Sequence, residues 1–335
     1  MLINQSAEII EKSENKINNI ANIARVCYKS EANSNNANNA RLVENLIKNH
    51  HYAMLEHEDL IIEFDGRTFN EMAEIISEIE CCYGVNLYLF KTKQKGMKYG
   101  IISGNMSAWR MFFKYLFLYA KNISHVKEVY MPDYFKNNIF FKDIFDFWGV
   151  LFDIKEYKLP DIKILDKNDL SQIDEKLAHY RISAKIITDR GISHELVRHR
   201  TFSFAQESTR YCNYQNKEMQ FINYADFANI ANNEDFISAN NLYSEYGYNR
   251  LMELNTPQIA RSVLPHNLKT ELVMTGNLHS WCHFFNLRLF ERTGKVHPMI
   301  KDIANQLFID FEKKTPISQS EIINICEQIW GDMNE

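Results

Sequence analysis

The stretch Arg198–Tyr211, RHRTFSFAQESTRY, places three arginines, a histidine, a glutamine, a glutamate, two serines and two threonines in fourteen residues. Arginine is the side chain suited to two-pronged contact with phosphate or with the polar edge of a planar ring. The hydroxyls and backbone N–H groups of Gln206–Arg210 supply the other parts of a phosphate cradle. Arg198, His199 and Arg200 are consecutive, cannot all point one way, and should serve different partners. Composition alone leaves two readings open, an anion site or a loop pinned by Arg–Glu pairs. The surroundings favour the anion. Residues 181–210 hold six Lys and Arg against three acids, in a chain whose formal net charge is −5. Such a focus suits a small phosphorylated ligand, and the overall acidity argues against a nucleic-acid binder.

Other residues that could do chemistry lie in three places. In ARSVLPHNLKTE, Arg261 is either a cation at a helix end or a second anion ligand. In TGNLHSWCHFFNLR, read as part of one long helix, Asn277, Trp281, Phe284 and Arg288 share a face, with Asn277 and Arg288 about 16 Å apart. They could reach two parts of a large ligand, or be the polar edges of a core helix. His279 and His283 stand at i, i+4, but without an HExxH pattern or a third ligand, so no metal site is expected. HHYAMLEH gathers His50, His51, Glu56 and His57 at spacings that match no common metal site. The chain contains no GxGxxG, Walker or GxSxG element, and Ser208 has no evident base, which disfavours a serine nucleophile.

The elements that must hold these residues suggest a fold. Scarce glycine (11) and proline (6) point to helices over a loop-rich or all-β chain. Residues 5–29 read as a helix. A second runs to about Asn49, followed by a turn and a strand near Leu60–Phe64. Residues 65–174 read as helix-rich and aromatic, closing with a connecting segment, LPDIKILDKNDLSQIDEKL. YRISAKIITDR alternates Ile182, Ala184 and Ile186 as a strand does. GISHELVRHR then reads as a helix with Ser193 as N-cap, so that the arginine-rich motif begins where a helix ends and a loop starts. DFISANNLYSEYGYNRLMELN and TELVMTGNLHSWCHFFNLRLFER read as further helices. The expectation is an α+β fold, a small mostly antiparallel sheet packed against many helices. No apolar run reaches the ~20 residues of a membrane span, and the N-terminus lacks a signal layout. Six cysteines without a CxxC pair suggest reduced thiols in a cytoplasmic setting.

Together these stretches resemble the flavin-dependent thymidylate synthases, whose signature is Arg-His-Arg followed after seven residues by serine. IARVCY, HHYAMLEH, RHRTFSFAQES, ARSVLP and TGNLHSWCHFFNLR match that family's blocks in order. The resemblance implies one catalytic domain over 1–335 with a helix-rich insertion at about 66–175. It implies a homotetramer whose active sites are shared between subunits, with no nucleic-acid or membrane partner. The implied reaction is the reductive methylation of dUMP to dTMP, with methylenetetrahydrofolate as carbon donor and NADPH as hydride donor through FAD. A related flavin enzyme making another 5-substituted pyrimidine, or a non-catalytic nucleotide-binding protein of the same fold, are the alternatives. Carried over position by position, Glu195, Arg198, Gln206, Glu207, Ser208, Arg210, Arg261 and Arg288 would bind dUMP, with Arg288 the catalytic cation beside the uracil. His51, Glu56, Arg198, His199, Arg200, Gln206, Asn277, His279 and His283 would hold FAD. The chain departs from many relatives at Ala205-Gln206 (Asn-Glu in them), at Cys27 and Ala53 where hydroxyl residues are common, and at His279 and His283. None of the cysteines follows a proline, as the nucleophile of ordinary thymidylate synthases does.

Overall fold

The structure, a computed structural model, describes residues 1–92, 99–122, 128–131, 133–136, 138–150, 153–156, 162–165, 179, 181–215, 218–224, 227 and 234–332. It divides into two compact units, Met1–Asn39 with Arg181–Glu335, and Ala40–Tyr180. In the first unit Leu2–Ile3 pairs in parallel with Phe221–Ile222, and the strands of the main sheet are β1 (Ser6–Ile9), β2 (Arg181–Asp189), β3 (Ser203–Gln206) and β4 (Lys269–Asn277). They form one antiparallel sheet in the order β3–β4–β2–β1. Its helices are α1 (Lys16–Tyr28), α2 (Arg190–Leu196), α3 (Glu234–Met252), α4 (Pro257–Ala260), α5 (Leu278–Arg288), α6 (Pro298–Lys314) and α7 (Gln319–Asp332). The α+β expectation holds.

Strand β4 is buried at all nine positions. A strand covered on both faces shows no apolar–polar alternation, which is why TELVMTGN passes for helix in the sequence. The long helix expected there is therefore a strand followed by α5, and Asn277 is the N-cap, its side chain accepting from Ser280 N. The expected helix over residues 5–29 is also corrected. Residues 6–9 are an edge strand because α6 satisfies its outer N–H groups, Gln306 Oε1 accepting from Ala7 and Asp310 Oδ2 from Ile9. These partners are about 300 residues away, beyond the reach of any local pattern. The N-cap of α2 is Asp189, which accepts from Ile192 N at 2.6 Å, and not Ser193. The arginine-rich motif does not remain a loop either, since Ser203–Gln206 pairs with β4 from Thr275 back to Leu272.

The second unit carries the short 3-10 helix Tyr52–His57 and an antiparallel sheet ordered Phe90–Thr92, Tyr99–Asn105, Asp59–Asp65, Ile162–Ile164. Helices Gly66–Tyr83, Met106–Asn122 and Lys142–Trp148 accompany it. The strand Tyr99–Asn105 is a second element hidden in a stretch read as helical. Trp109, Phe112, Phe113, Phe117 and Phe141 are among the largest fully buried side chains of the second unit. Ile162–Ile164 is a strand within the expected connecting segment, most of which lies outside the described residues.

At the β4–α5 junction the ring of Phe202 lies against Gly276. A Cβ built on Gly276 would come within 2.6 Å of that ring, and within 3.1 Å of Ser280 Cβ. Phe202 also stacks edge-on against Trp281, at 4.8 Å between centroids, and the indole donates to Ile182 O. Gly276→Ala should therefore displace Phe202 and cost about 1–3 kcal/mol, as overpacking a filled core does. Urea unfolding would show this as a lower midpoint at unchanged slope.

Candidate functional site

The motif is anchored by a buried ionic cluster on one face of the sheet. Lys269 and Glu271, alternate residues of β4, point the same way and meet Glu207, which follows β3. Lys269 Nζ donates to Glu207 at 3.1 Å and to Glu271, and Lys185 of β2 reaches Glu271 at 3.0 Å. Lys29 caps α1 in the left-handed conformation, φ 52°, and its ammonium meets Glu271, with Glu207 3.6 Å away. Tyr214 donates to Glu207 at 2.7 Å. Burial pushes the Glu271 carboxyl up, but the ammonium groups of Lys269 and Lys29 more than offset this and hold it at about 2. Glu207, expected to bind substrate, thus has its carboxylate committed to lysines and a tyrosine, and its N–H to Glu271 O at 2.7 Å. It holds the loop. The pairing with arginine that composition left open is not the one formed.

The opposite periodicity places Gln206 and Thr270 on the other face. Gln206 Nε2 donates to Ser193 Oγ of α2 at 2.9 Å and to Thr270 Oγ1 at 3.2 Å. Its amide is oriented by two hydroxyls, so its oxygen is the end left to accept from a ligand.

The Arg198–Arg200 turn lies along α5. At one end Ser280 Oγ donates to Thr201 O at 3.4 Å. At the other, Arg288 Nε donates to His199 Nε2 at 3.0 Å. His199 is 7% exposed, edge-on to Phe284, and its pKa is lowered to about 4 by burial, then by the charges of Arg288 and His283. A neutral imidazole is the form that can accept from arginine. This contact brings Arg198, His199 and Arg200 to the helix that carries Asn277, His279, His283 and Arg288. The spacing along α5 is as the sequence implied, although Asn277 Oδ1 is taken by the cap. Arg198 and Arg200 are exposed, and among the described residues neither side chain has a hydrogen bond or ion pair. Glu195 is half-buried in α2, and its carbonyl accepts from Arg198 N at 3.2 Å.

The loop after β3 is fixed by Ser208 N donating to Cys27 O at 3.0 Å. Ser208 Oγ accepts from Arg210 N, and Arg210 Nε donates to Gln258 Oε1 of α4 at 2.9 Å. Its guanidinium lies 5.2 Å from the Tyr211 ring, itself 5.5 Å from Tyr28. Arg261 follows α4 and is exposed. His51 and Glu56 belong to the second unit, at the start and in the body of the 3-10 helix Tyr52–His57. His50 there adopts φ 59°, and Arg110, held by both oxygens of Asp143 at 2.7 Å, lies over the Tyr52 ring at 4.7 Å.

Sequence reasoning missed Lys29, Lys269, Glu271, Ser193, Thr270 and Tyr214. The signal for Lys269 and Glu271 was their i, i+2 spacing, visible only once that segment is taken as a strand. Among the described residues no group of His, Cys, Asp and Glu could hold a metal, and no helix is long and apolar enough to cross a membrane.

Fold and site define an α+β protein built on an antiparallel sheet, with arginines beside it whose side chains pair with no acid among the described residues. The chain belongs to the thymidylate synthase complementing protein family, whose model matches residues 8–77 and 171–317, more than half of its length. All five motif blocks fall inside those segments, and the unmatched 78–170 falls inside the second unit. The flavin-dependent thymidylate synthase of Synechocystis sp. is 29% identical over 141 residues, 38% of this chain and 66% of that protein. That of Corynebacterium diphtheriae is 30% identical over 146 residues, 37% of this chain and 58% of that protein. The alignments therefore span 58–66% of these relatives' length. A UMP/dUMP methylase from Streptomyces cacaoi bound with 5-Br dUMP is similar at a TM-score of 0.38 and 22% identity, over 46% of this chain and 75% of that one.

Two pH dependences follow. Between pH 4.5 and about 2 the unfolded Glu271 takes up a proton that the native one refuses, so stability is lost as pH falls through this window. Glu271→Gln should flatten that acid limb and, by leaving lysines unpaired, cost about 3–5 kcal/mol at pH 7. His199 acts higher, from pH 6.5 down to about 4, where the unfolded imidazole is protonated and the native one is not. Stability should again fall with pH across that range. His199→Gln, which can still accept from Arg288, should remove the dependence there, read from urea midpoints at half-unit pH steps.

Proposed function

We propose that this protein is a flavin-dependent thymidylate synthase, converting dUMP to dTMP with methylenetetrahydrofolate as carbon donor and NADPH as reductant. The observation that carries it is that Arg210, bonded to Gln258 of α4, and Arg261, which follows α4, have no carboxylate partner among the described residues, as is true of Arg198 and Arg200. Arg210, Arg261 and Ser208 hold the nucleotide phosphate on a loop fixed by Glu207. Glu195, Arg198 and Gln206 border the nucleoside. The two Nη groups of Arg288 have no partner among the described residues, and its Nε is held by neutral His199. The guanidinium is thereby pre-oriented to favour negative charge on the uracil, the electrostatic stabilisation that makes C5 nucleophilic.

The donor set fits FAD. Arg198, Arg200, His279 and His283 offer donors with no acid paired to them among the described residues, and Asn277 keeps its amide N–H₂; His51 and Glu56, in the second unit, are assigned to FAD by the resemblance alone. When bound, the flavin supplies hydride transfer. No protein nucleophile is then required, which agrees with Cys27. Burial pushes the thiol of this cysteine beside the loop up to about 11, so it is protonated at neutral pH. A cytoplasmic homotetramer with shared sites belongs to the same proposal. Exposed Phe236, Tyr243 and Tyr246 on α3, with Leu254 beyond it, support a subunit contact.

Purified protein should be yellow, or take up added FAD. It should release the C5 hydrogen of dUMP only with methylenetetrahydrofolate and a reduced nicotinamide, and give a product with the mass of dTMP. Arg288→Ala should lower turnover at least 100-fold, the scale of losing an oriented charge donor, with flavin content unchanged. Wild-type turnover in that variant, or a colourless protein that does not bind FAD, would reject the proposal.

A further inference from the structure

The two units share one framework. The strands Phe90–Thr92, Tyr99–Asn105 and Asp59–Asp65 stand in the order of β3, β4 and β2. Leu60 pairs with Gly104 as Ile182 does with Gly276. Asn105 accepts from Ala108 N at 2.8 Å, as Asn277 does from Ser280 N at 2.9 Å. The indole of Trp109 donates to Leu60 O at 2.9 Å, as that of Trp281 does to Ile182 O at 3.1 Å. The helix Met106–Asn122 is therefore the counterpart of α5. At the positions of His279, His283 and Arg288 it carries Ser107, Met111 and Leu116, so it keeps the frame without those donors.

One position differs in the opposite sense. Where α5 has the buried Cys282, the second helix has Arg110, 5% exposed. Both oxygens of Asp143 accept from Arg110 at 2.7 Å, Phe140 O accepts as well, and Nε has no hydrogen-bond partner among the described residues. Taking a guanidinium out of water is costly, and an apolar side chain would fill the position without that cost. α5 shows that the framework needs no charge there. What the guanidinium meets is the turn 50–57. It lies over the Tyr52 ring at 4.7 Å, and Nη2 donates to the Tyr52 hydroxyl at 3.4 Å. The same hydroxyl meets His50 Nδ1 at 2.8 Å. Met106, four residues before Arg110 and so on the same helix face, donates its N–H to Glu58 O at 2.9 Å. One helix thus grips both ends of the segment that carries His51 and Glu56.

We infer that Arg110 is a positioning residue: braced by Asp143, it fixes Tyr52 and so holds His51 and Glu56 in one arrangement before FAD binds. This rests on the proposed flavin reading, which assigns those two residues to FAD. The second unit then contributes to the reaction by pre-ordering that turn, since side chains ordered beforehand need not be ordered on binding.

Titration of the flavin-depleted full chain with FAD tests this, comparing wild type with Arg110→Leu and Tyr52→Phe. Arg110→Leu should bind FAD roughly tenfold more weakly, the scale of ordering two side chains at binding instead of beforehand. At saturating FAD its visible absorbance and circular dichroism should differ from wild type, which a loss of stability alone would not cause. Tyr52→Phe should weaken FAD several-fold, and the double variant should be no weaker than Arg110→Leu, because both changes break one contact. Additive losses in the double variant count against the inference. Wild-type affinity and spectrum in Arg110→Leu overturn it and leave the flavin reading intact, even if the urea midpoint falls. A wild-type chain that takes up no FAD overturns the flavin reading and this inference with it. If Arg110→Leu does not fold, Tyr52→Phe carries the test, and unchanged FAD affinity there overturns the inference.

Discussion

The buried Lys269, Glu207 and Glu271, joined by the half-buried Lys29 and Lys185, form the ionic cluster on which the site depends. It joins the C-terminus of α1, two central strands and the first residue after β3 at one point. Charges removed from water are tolerated only when each is paired and hydrogen-bonded, so the cluster admits few arrangements. That constraint sets where the loop Glu207–Arg210 leaves the sheet. The loop then offers Ser208 and Arg210 on one side while its acid is consumed on the other.

The same separation recurs around the motif. Strand alternation sends Glu207 to the ionic face and Gln206 to the face of α2, where two hydroxyls orient its amide. In the turn before β3, the neutral His199 spends its lone pair on Arg288, which frees that guanidinium from any need for an acid. Glu207 and Glu271 are paired with lysines, Asp189 is hydrogen-bonded by a phenol and a helix N–H, and the arginines keep donors that are unpaired among the described residues. An acidic protein obtains a local cationic site by this division of partners, without a basic surface.

Part of the site was legible in the sequence. The motif, the positive focus of residues 181–210 and the spacing of Asn277 and Arg288 all carry over, because adjacent residues and helical periods are local properties. The strand Arg181–Asp189 and the helices near 36–48 and 234–252 were legible for the same reason. What failed has a common cause. Lys269–Asn277 is covered on both faces and lacks a strand's alternation, Ser6–Ile9 is a strand only because α6 completes its hydrogen bonds, and Asp189 caps α2 from the end of a strand. Each of these depends on what lies alongside in space.

The sequence by itself determined the chemistry available, a set of arginines, hydroxyls and histidines in the order of a known family, together with the α+β class. Tertiary structure decided which acids meet which bases. Arg210 and Arg261 could be seen as unpaired with an acid among the described residues only after Glu207 was found occupied, and a count of charges along the chain cannot show that. Coulomb attraction and desolvation act over a few ångströms of space, whereas the residues that settle them lie tens to hundreds of positions apart.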